Sequence, residues 1–402
     1  MPHTMALCIF CEHVLDKNTK PEHVMHGALG GRMETRRVLC SDCNNNFGGG
    51  IDKVLTEQFE VIRNQFQMKS GSGKTAPMMR KVQAGSQRIN IHGDGRLEVV
   101  ARPFNITKHP DSRFELQIMT SSLEEIRRHI PNIAAALGIS EEEVSRLIAG
   151  ANAKMVEYRP PTVQLGMTLG GPEALRSVAK ACLVLWALKV GNDEVRGVPY
   201  GSIRNYILNG DPSFTRTRTN LDTRTFAEAE RVRQQYGPLF NLVYVRSDEA
   251  GRVIGHFTIY NLLGHQVVLA ESGGSPCQAV GLVANPRNTC DWSDKAAELF
   301  DLPFEWLSQP SYNTTEATAR LVEVQKTYFD IFKPKEIGRL SDSVFSKFGL
   351  DQNDVIPEAI REEALAQLFD RAARYIVGIP YEEAVPEDVL RNALKAKPDD
   401  QE

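Results

Sequence analysis

Four of the seven cysteines stand in two matched pairs near the N-terminus, Cys8-Ile9-Phe10-Cys11 and Cys40-Ser41-Asp42-Cys43. Two residues between thiols let both sulfurs of a pair turn toward one ion. The pattern C-x2-C-x28-C-x2-C thus predicts a closed tetrahedral site in which Cys8, Cys11, Cys40 and Cys43 hold a structural Zn2+ with no position left for substrate. The plainer reading is four free thiols. A redox pair would need a βαβ unit beside it, and none is legible. Cys182, Cys277 and Cys290 are scattered, and an odd total argues against a disulfide framework.

Zinc held this way gives structure, not reaction. The reactive candidates lie between the pairs, in "PEHVMHGALGGR", where Glu22 and His23 adjoin and Gly30-Gly31 marks a sharp turn. Histidine is the side chain whose ordinary pKa suits proton transfer near neutral pH. Asn44 follows the second pair directly and opens the run "NNNFGGG". In this order, Cys8/Cys11, Glu22-His23, Gly30-Gly31-Arg32 and Cys40/Cys43-Asn44 resemble the HNH endonucleases, in particular their four-cysteine branch. The resemblance covers about the first 55 residues.

That resemblance implies a ββα-metal unit, a two-stranded hairpin packed on a helix with a divalent ion between them. It implies hydrolysis of phosphodiester bonds in DNA, with His23 as the general base that activates water. Glu22 and Asn44 would be the protein ligands of a catalytic ion separate from the zinc. Oxygen ligands suit Mg2+ or Mn2+, which keep waters and bind substrate phosphate. Defence against foreign DNA is a setting suggested by analogy alone. The middle asparagine of the motif is not evident, and Thr35 or Arg36 stands near its place. His26, where the family commonly has proline, is read as a loop residue outside the core site. Arg32, Arg36 and Arg37 are placed to meet a phosphate backbone or else form a solvated loop. Two other functions stay open: a non-catalytic zinc-knuckle protein that only binds nucleic acid, and a nuclease effector gated by a ligand sensed elsewhere in the chain.

The rest of the sequence must position these residues. The chain has 402 residues, is 42% hydrophobic and 24% charged, and carries a formal charge of -4. Those values are ordinary for a globular protein, and any nucleic-acid surface must be local. No run is long and apolar enough for a membrane helix, and no signal segment is recognisable, which leads us to expect a cytoplasmic protein without membrane contact. "KSGSGKTAP" is not a P-loop, because Met68 stands where the first glycine should be.

The fold class expected is α+β, in three successive parts: residues 1–70 as the HNH module, 75–310 as a mixed domain for DNA positioning, sensing or dimerisation, and 313–402 as a helical, acidic region. Ile51, Leu55, Phe59, Ile62 and Phe66 recur at helical spacing, so a helix proper should begin near Ile51 after an Asn/Gly lead-in. Strands are expected between Met79 and Thr120, with "GDG" turning a hairpin. A helix with a serine cap in "SSLEEIRRHIPNIAAALG" and a second capped by Ser140 should follow. "GPEALRSVAKACLVLWALKVG" is the strongest helix, and its apolar run "SVAKACLVLWALKV" is interrupted by Lys180. Helical "YGSIRNYILNG" comes next, and "DPSFTRTRTNLDTRT" reads as a loop whose arginines, with Arg231 and Arg233 beyond, form a second basic cluster. Three strand-like runs lie in residues 241–270. A homo-oligomer is also expected, since one nicking site needs a second copy to cut both strands.

Overall fold

Gly171 and Gly191 bracket the helix Pro172–Val190, with its proline in the first turn as the sequence predicts. A helix apolar on every side belongs in a core. Val178, Cys182, Leu183, Val184 and Trp186 are buried, and Lys180 is buried with them. The computed structural model describes residues 6–84, 87–100, 102–110, 113–120, 123–157, 166–351, 354–377 and 379–395, and in it this core helix lies on one face of a six-stranded sheet.

The sheet is antiparallel throughout. Its order is Trp292–Ser293, Ala279–Ala284, Asn241–Ser247, Val253–Ile259, Leu263–Ala270 and Thr219–Asp222. The three runs expected in residues 241–270 are therefore strands. Two of them, Val253–Ile259 and Leu263–Ala270, are buried at every position because both faces are covered. The face opposite the core helix carries Phe226, Tyr236, Phe240, Leu242, Tyr244, Phe300 and Leu307. Gly255 is required where the core helix crosses, since a Cβ there would lie 2.6 Å from the Cys182 Cβ.

His256 and His265 sit on adjacent central strands, fully inside this sheet. Burial pulls each from its ordinary 6.5 down to about 4, against the pull of Asp222 on His256. The unfolded chain takes up these protons as pH falls through 6.5, whereas the folded chain refuses them until about 4. Stability is therefore complete above pH 6.5, falls between 6.5 and 4, and levels off below. Each ring accounts for roughly 3 kcal/mol across that window. Thermal melts should show the Tm dropping steeply between pH 7 and pH 4.5. A His265→Asn variant should lose part of that slope, and equal slopes would refute the assignment.

The sequence reading needs two corrections. "DPSFTRTR" is not a loop: Pro212–Arg218 is helical, because Asp211 caps it by accepting from the Ser213 N–H at 2.8 Å and proline fills the first position. "TNLD" then forms the edge strand of the sheet. The second basic cluster is mostly spent on internal pairs. Arg224 holds Asp222 through two nitrogens and stacks on Trp306 at 4.3 Å, Arg218 pairs with Glu271, and Arg233 pairs with Glu323 at 2.6 Å.

The second correction concerns the Asn/Gly run, which is helix rather than lead-in. After the hairpin β1 (Glu22–His23) and β2 (Glu34–Thr35), helix α1 covers Ser41–Gly49. Cys40 caps it, its sulfur accepting from the Cys43 N–H at 3.5 Å. Gly50, with φ -109° and ψ -106°, breaks the helix, and α2 (Ile51–Gln58) and α3 (Glu60–Gln65) follow with a second break at Phe59. The expected apolar face holds across that break, with Ile51, Leu55, Phe59, Ile62 and Phe66 all buried.

Contacts sort the chain into two compact units. The first joins Met1–Met79 and His92–Gly95 to Leu165–Ile331, so the cysteine-bearing module and the six-stranded sheet share one unit. The second joins Arg80–Ile91 and Arg96–Gln164 to Phe332–Glu402. It holds the hairpin Phe104–Lys108/Phe114–Ile118, helices Leu123–Leu137 and Glu141–Ala149, and a pairing of Lys154–Glu157 with Tyr381–Ala384. Ile126, Ile130, Ile133, Val144, Ile148 and Leu390 form its core. Ser140 caps its helix as predicted, accepting from the Glu143 N–H at 3.2 Å. The serines expected to cap Leu123–Leu137 lie outside the described residues. The C-terminal region is helical, with Glu358–Val377 its clearest element. No helix among the described residues is long and apolar enough to cross a membrane.

Candidate functional site

The four cysteines meet. Their sulfurs lie within 4.8 Å of one another, with Cys11 and Cys40 3.4 Å apart. The first knuckle is a tight turn closed by the Cys8 N–H on the His13 carbonyl at 2.8 Å, with Glu12 at φ 63°. The second is the capped start of α1. A hydrogen bond from Cys43 pulls the Cys8 thiol down to about 4, while that same contact, followed by burial, pushes Cys43 up. Four thiolates this close repel one another unless a dication sits among them, so the donor set and spacing fit Zn2+. The ion would supply a rigid joint between the loop before β1 and the start of α1, and no chemistry.

β1 and β2 pair antiparallel, Glu22 opposite Thr35 and His23 opposite Glu34. Gly30, at φ +101°, and Gly31 turn the chain between them. A Cβ on Gly31 would lie 1.9 Å from the Met25 carbonyl oxygen, so only glycine fits. Thr35 accepts from the Arg37 N–H at 3.1 Å and Arg36 donates to the Thr19 carbonyl, so the hairpin is braced without an asparagine. Asn44 is buried in α1. Its Nδ2 donates to the Pro21 carbonyl at 2.9 Å and ties the helix to the residue before Glu22.

Successive strand residues face opposite ways, and Glu22 and His23 do so. His23 is half-exposed over Gly27, with Nε2 3.1 Å from a carboxylate oxygen of Glu34. Glu22 points inward and is 3% exposed.

The HNH endonuclease family model matches residues 8–60. These residues form an HNH endonuclease module. Searches of curated proteins and of solved structures give no match. The HNH module supports nuclease activity in general terms, with DNA as the substrate the family implies.

Within the HNH module, Glu22 accepts from the buried ammonium of Lys180, which also donates to Asp52 at 2.6 Å. Burial alone would lower the Lys180 pKa, but Asp52 and Glu22 outweigh it and the net direction is up. Asp52 moves the other way: burial would raise it, yet Lys180 and then His26 hold it well below the usual carboxylate range. His26 is buried rather than on a loop surface, with Nε2 2.6 Å from Ser177 and 3.1 Å from Asp52. The resemblance gives Glu22 and Asn44 to Mg2+ or Mn2+. With the Glu22 carboxylate bonded to the Lys180 ammonium, which also holds Asp52, the place beside Glu22 already has its cation and does not fit a free divalent ion.

Sequence reasoning found the cysteine cluster and named Glu22, His23 and Asn44 as candidates, but did not name Glu34, Asp52, Ser177 and Lys180, which the structure brings into contact with Glu22, His23 and His26 or with one another. Glu34 could have been found from hairpin register, counting back from the Gly30-Gly31 turn. Lys180 was visible as the charge inside the apolar run Val178–Ala187, with Ser177 three residues before it on the same face.

Proposed function

We propose that the chain is an endonuclease that hydrolyses phosphodiester bonds in DNA, with His23 as general base. The observation that carries this reading is the half-exposed imidazole of His23 bonded to Glu34 on a hairpin clamped by the four-sulfur cluster. With the carboxylate accepting from the Nε2–H, the ring carries its lone pair on Nδ1, which takes the proton of an attacking water. Glu34 then stabilises the imidazolium that forms. Arg32 and Arg37, exposed on the same hairpin and its exit, are the residues placed to meet the DNA backbone.

The test is supercoiled plasmid incubated with purified protein in Mg2+, in Mn2+ and in chelator, beside His23→Ala. Nicking by wild type that vanishes in the variant supports the reading. Glu34→Gln should bind DNA as wild type does while cutting about tenfold or more slowly, since it loses the stabilised imidazolium but keeps the ring. Equal rates would remove Glu34 from the mechanism.

A second reading is favoured by one observation, the pairing of Glu22 with Lys180: a zinc-knuckle protein that binds nucleic acid without cutting it. Retention of plasmid by wild type and His23→Ala alike, with no cleavage by either, would select it.

A further inference from the structure

The buried charge cluster behind β1 draws side chains from three places. Glu22 and His26 come from β1 and the turn after it, Asp52 from α2, and Ser177 and Lys180 from one face of the core helix. Lys180 and Glu22 side chains are 2% and 4% exposed. Ser177 donates to Asp52 Oδ1 at 2.6 Å, and His26 Nε2 reaches both, at 2.6 Å and 3.1 Å. His26 Nδ1 is buried with no partner among the described residues, so the ring carries its proton on Nε2, where both acceptors lie.

We infer that Lys180 is the permanent cation of the Glu22–Asp52 pair. Its ammonium holds Glu22, the carboxylate that the resemblance gives to a divalent ion, and the five side chains lock the HNH module to the core helix. A buried carboxylate pair requires a countercharge, and here the ammonium spends its protons on both. The short charge-assisted bond from Nζ to Asp52, 2.6 Å, puts the ammonium in direct contact with the carboxylate, so an ion and this nitrogen cannot share the place. Because Glu22 faces inward while His23 faces out, the lysine never meets substrate. It is a positioning residue, fixing from behind the strand that carries His23.

The probe is Mn2+. Zinc-loaded full-length protein, Glu22→Gln, Lys180→Met and the double variant are titrated with Mn2+, free ion being read by electron paramagnetic resonance, and each is melted. Wild type and Glu22→Gln should agree in Mn2+ affinity within about twofold. Each single substitution should lower the Tm by about 5–10 °C, and the double variant by less than the sum. A Glu22→Gln protein whose Mn2+ affinity falls tenfold or more while its Tm stays within a degree overturns the inference. Should a variant fail to fold, anomalous scattering from wild-type crystals soaked in Mn2+ decides. Manganese bound to Glu22 overturns the proposal, and Lys180 Nζ between the two carboxylates with no manganese there supports it. The readouts are binding and stability, so the inference stands or falls separately from DNA cleavage.

Discussion

A His23→Ala protein should hold its zinc, melt within a degree or two of the parent and bind DNA, yet cut plasmid about 10²–10⁴-fold more slowly, the usual contribution of a positioned general base. The structure gives reasons for both halves. His23 is half-exposed, its Nε2 meets the exposed Glu34 carboxylate, and its ring rests over the backbone of Gly27 rather than in the core. Truncating such a side chain leaves no cavity and no buried unpaired group, so stability should move little. What disappears is the group that takes the water's proton. The comparison is quantitative if rates are taken under single-turnover conditions beside circular dichroism melts and elemental analysis. A variant that cuts at the parental rate would remove His23 from the mechanism, whereas one that also loses zinc or melts early would show a structural role instead.

Replacing Cys40 by serine should have the largest effect on folding. Zinc, expected at one per chain in wild type, should fall toward zero, and the HNH module should unfold. Structural zinc in small modules contributes on the order of 10 kcal/mol to folding. Cys40 has three roles at once: it supplies one sulfur of the cluster, its Sγ caps α1, and its carbonyl accepts from the Asn44 N–H at 3.0 Å. The hairpin it helps hold has two residues in each strand, too few to persist alone. Cys182→Ala is the control. That thiol is buried against Gly255, so its loss should cost some stability and leave zinc untouched. Elemental analysis and near-ultraviolet circular dichroism separate the two variants. Full zinc content and a parental melt in Cys40→Ser would refute the four-sulfur assignment.

Elements with strong local signals were legible from sequence. The core helix was marked by proline, two glycines and an apolar run interrupted by Lys180, and the strands of residues 241–270 by runs between turn residues. Misreadings came where local signals conflicted. Three asparagines followed by three glycines argue against helix, but Cys40 caps that segment and the cysteine cluster fixes its first turn, which outweighs propensity. The arginine- and threonine-rich stretch looked like a nucleic-acid loop because Glu271, the partner of Arg218, lies far away in sequence.

The sequence by itself determined the cysteine cluster, the order of the HNH elements and the identity of the exposed histidine, because each depends on residue type and short spacing. Only the tertiary structure decided that residues 8–60 share a unit with the sheet more than a hundred residues away. It alone decided that the cation beside Glu22 is Lys180, 158 positions along the chain. Such long-range pairings depend on how the core helix rotates against α2, and rotation is set by packing, which no local pattern encodes.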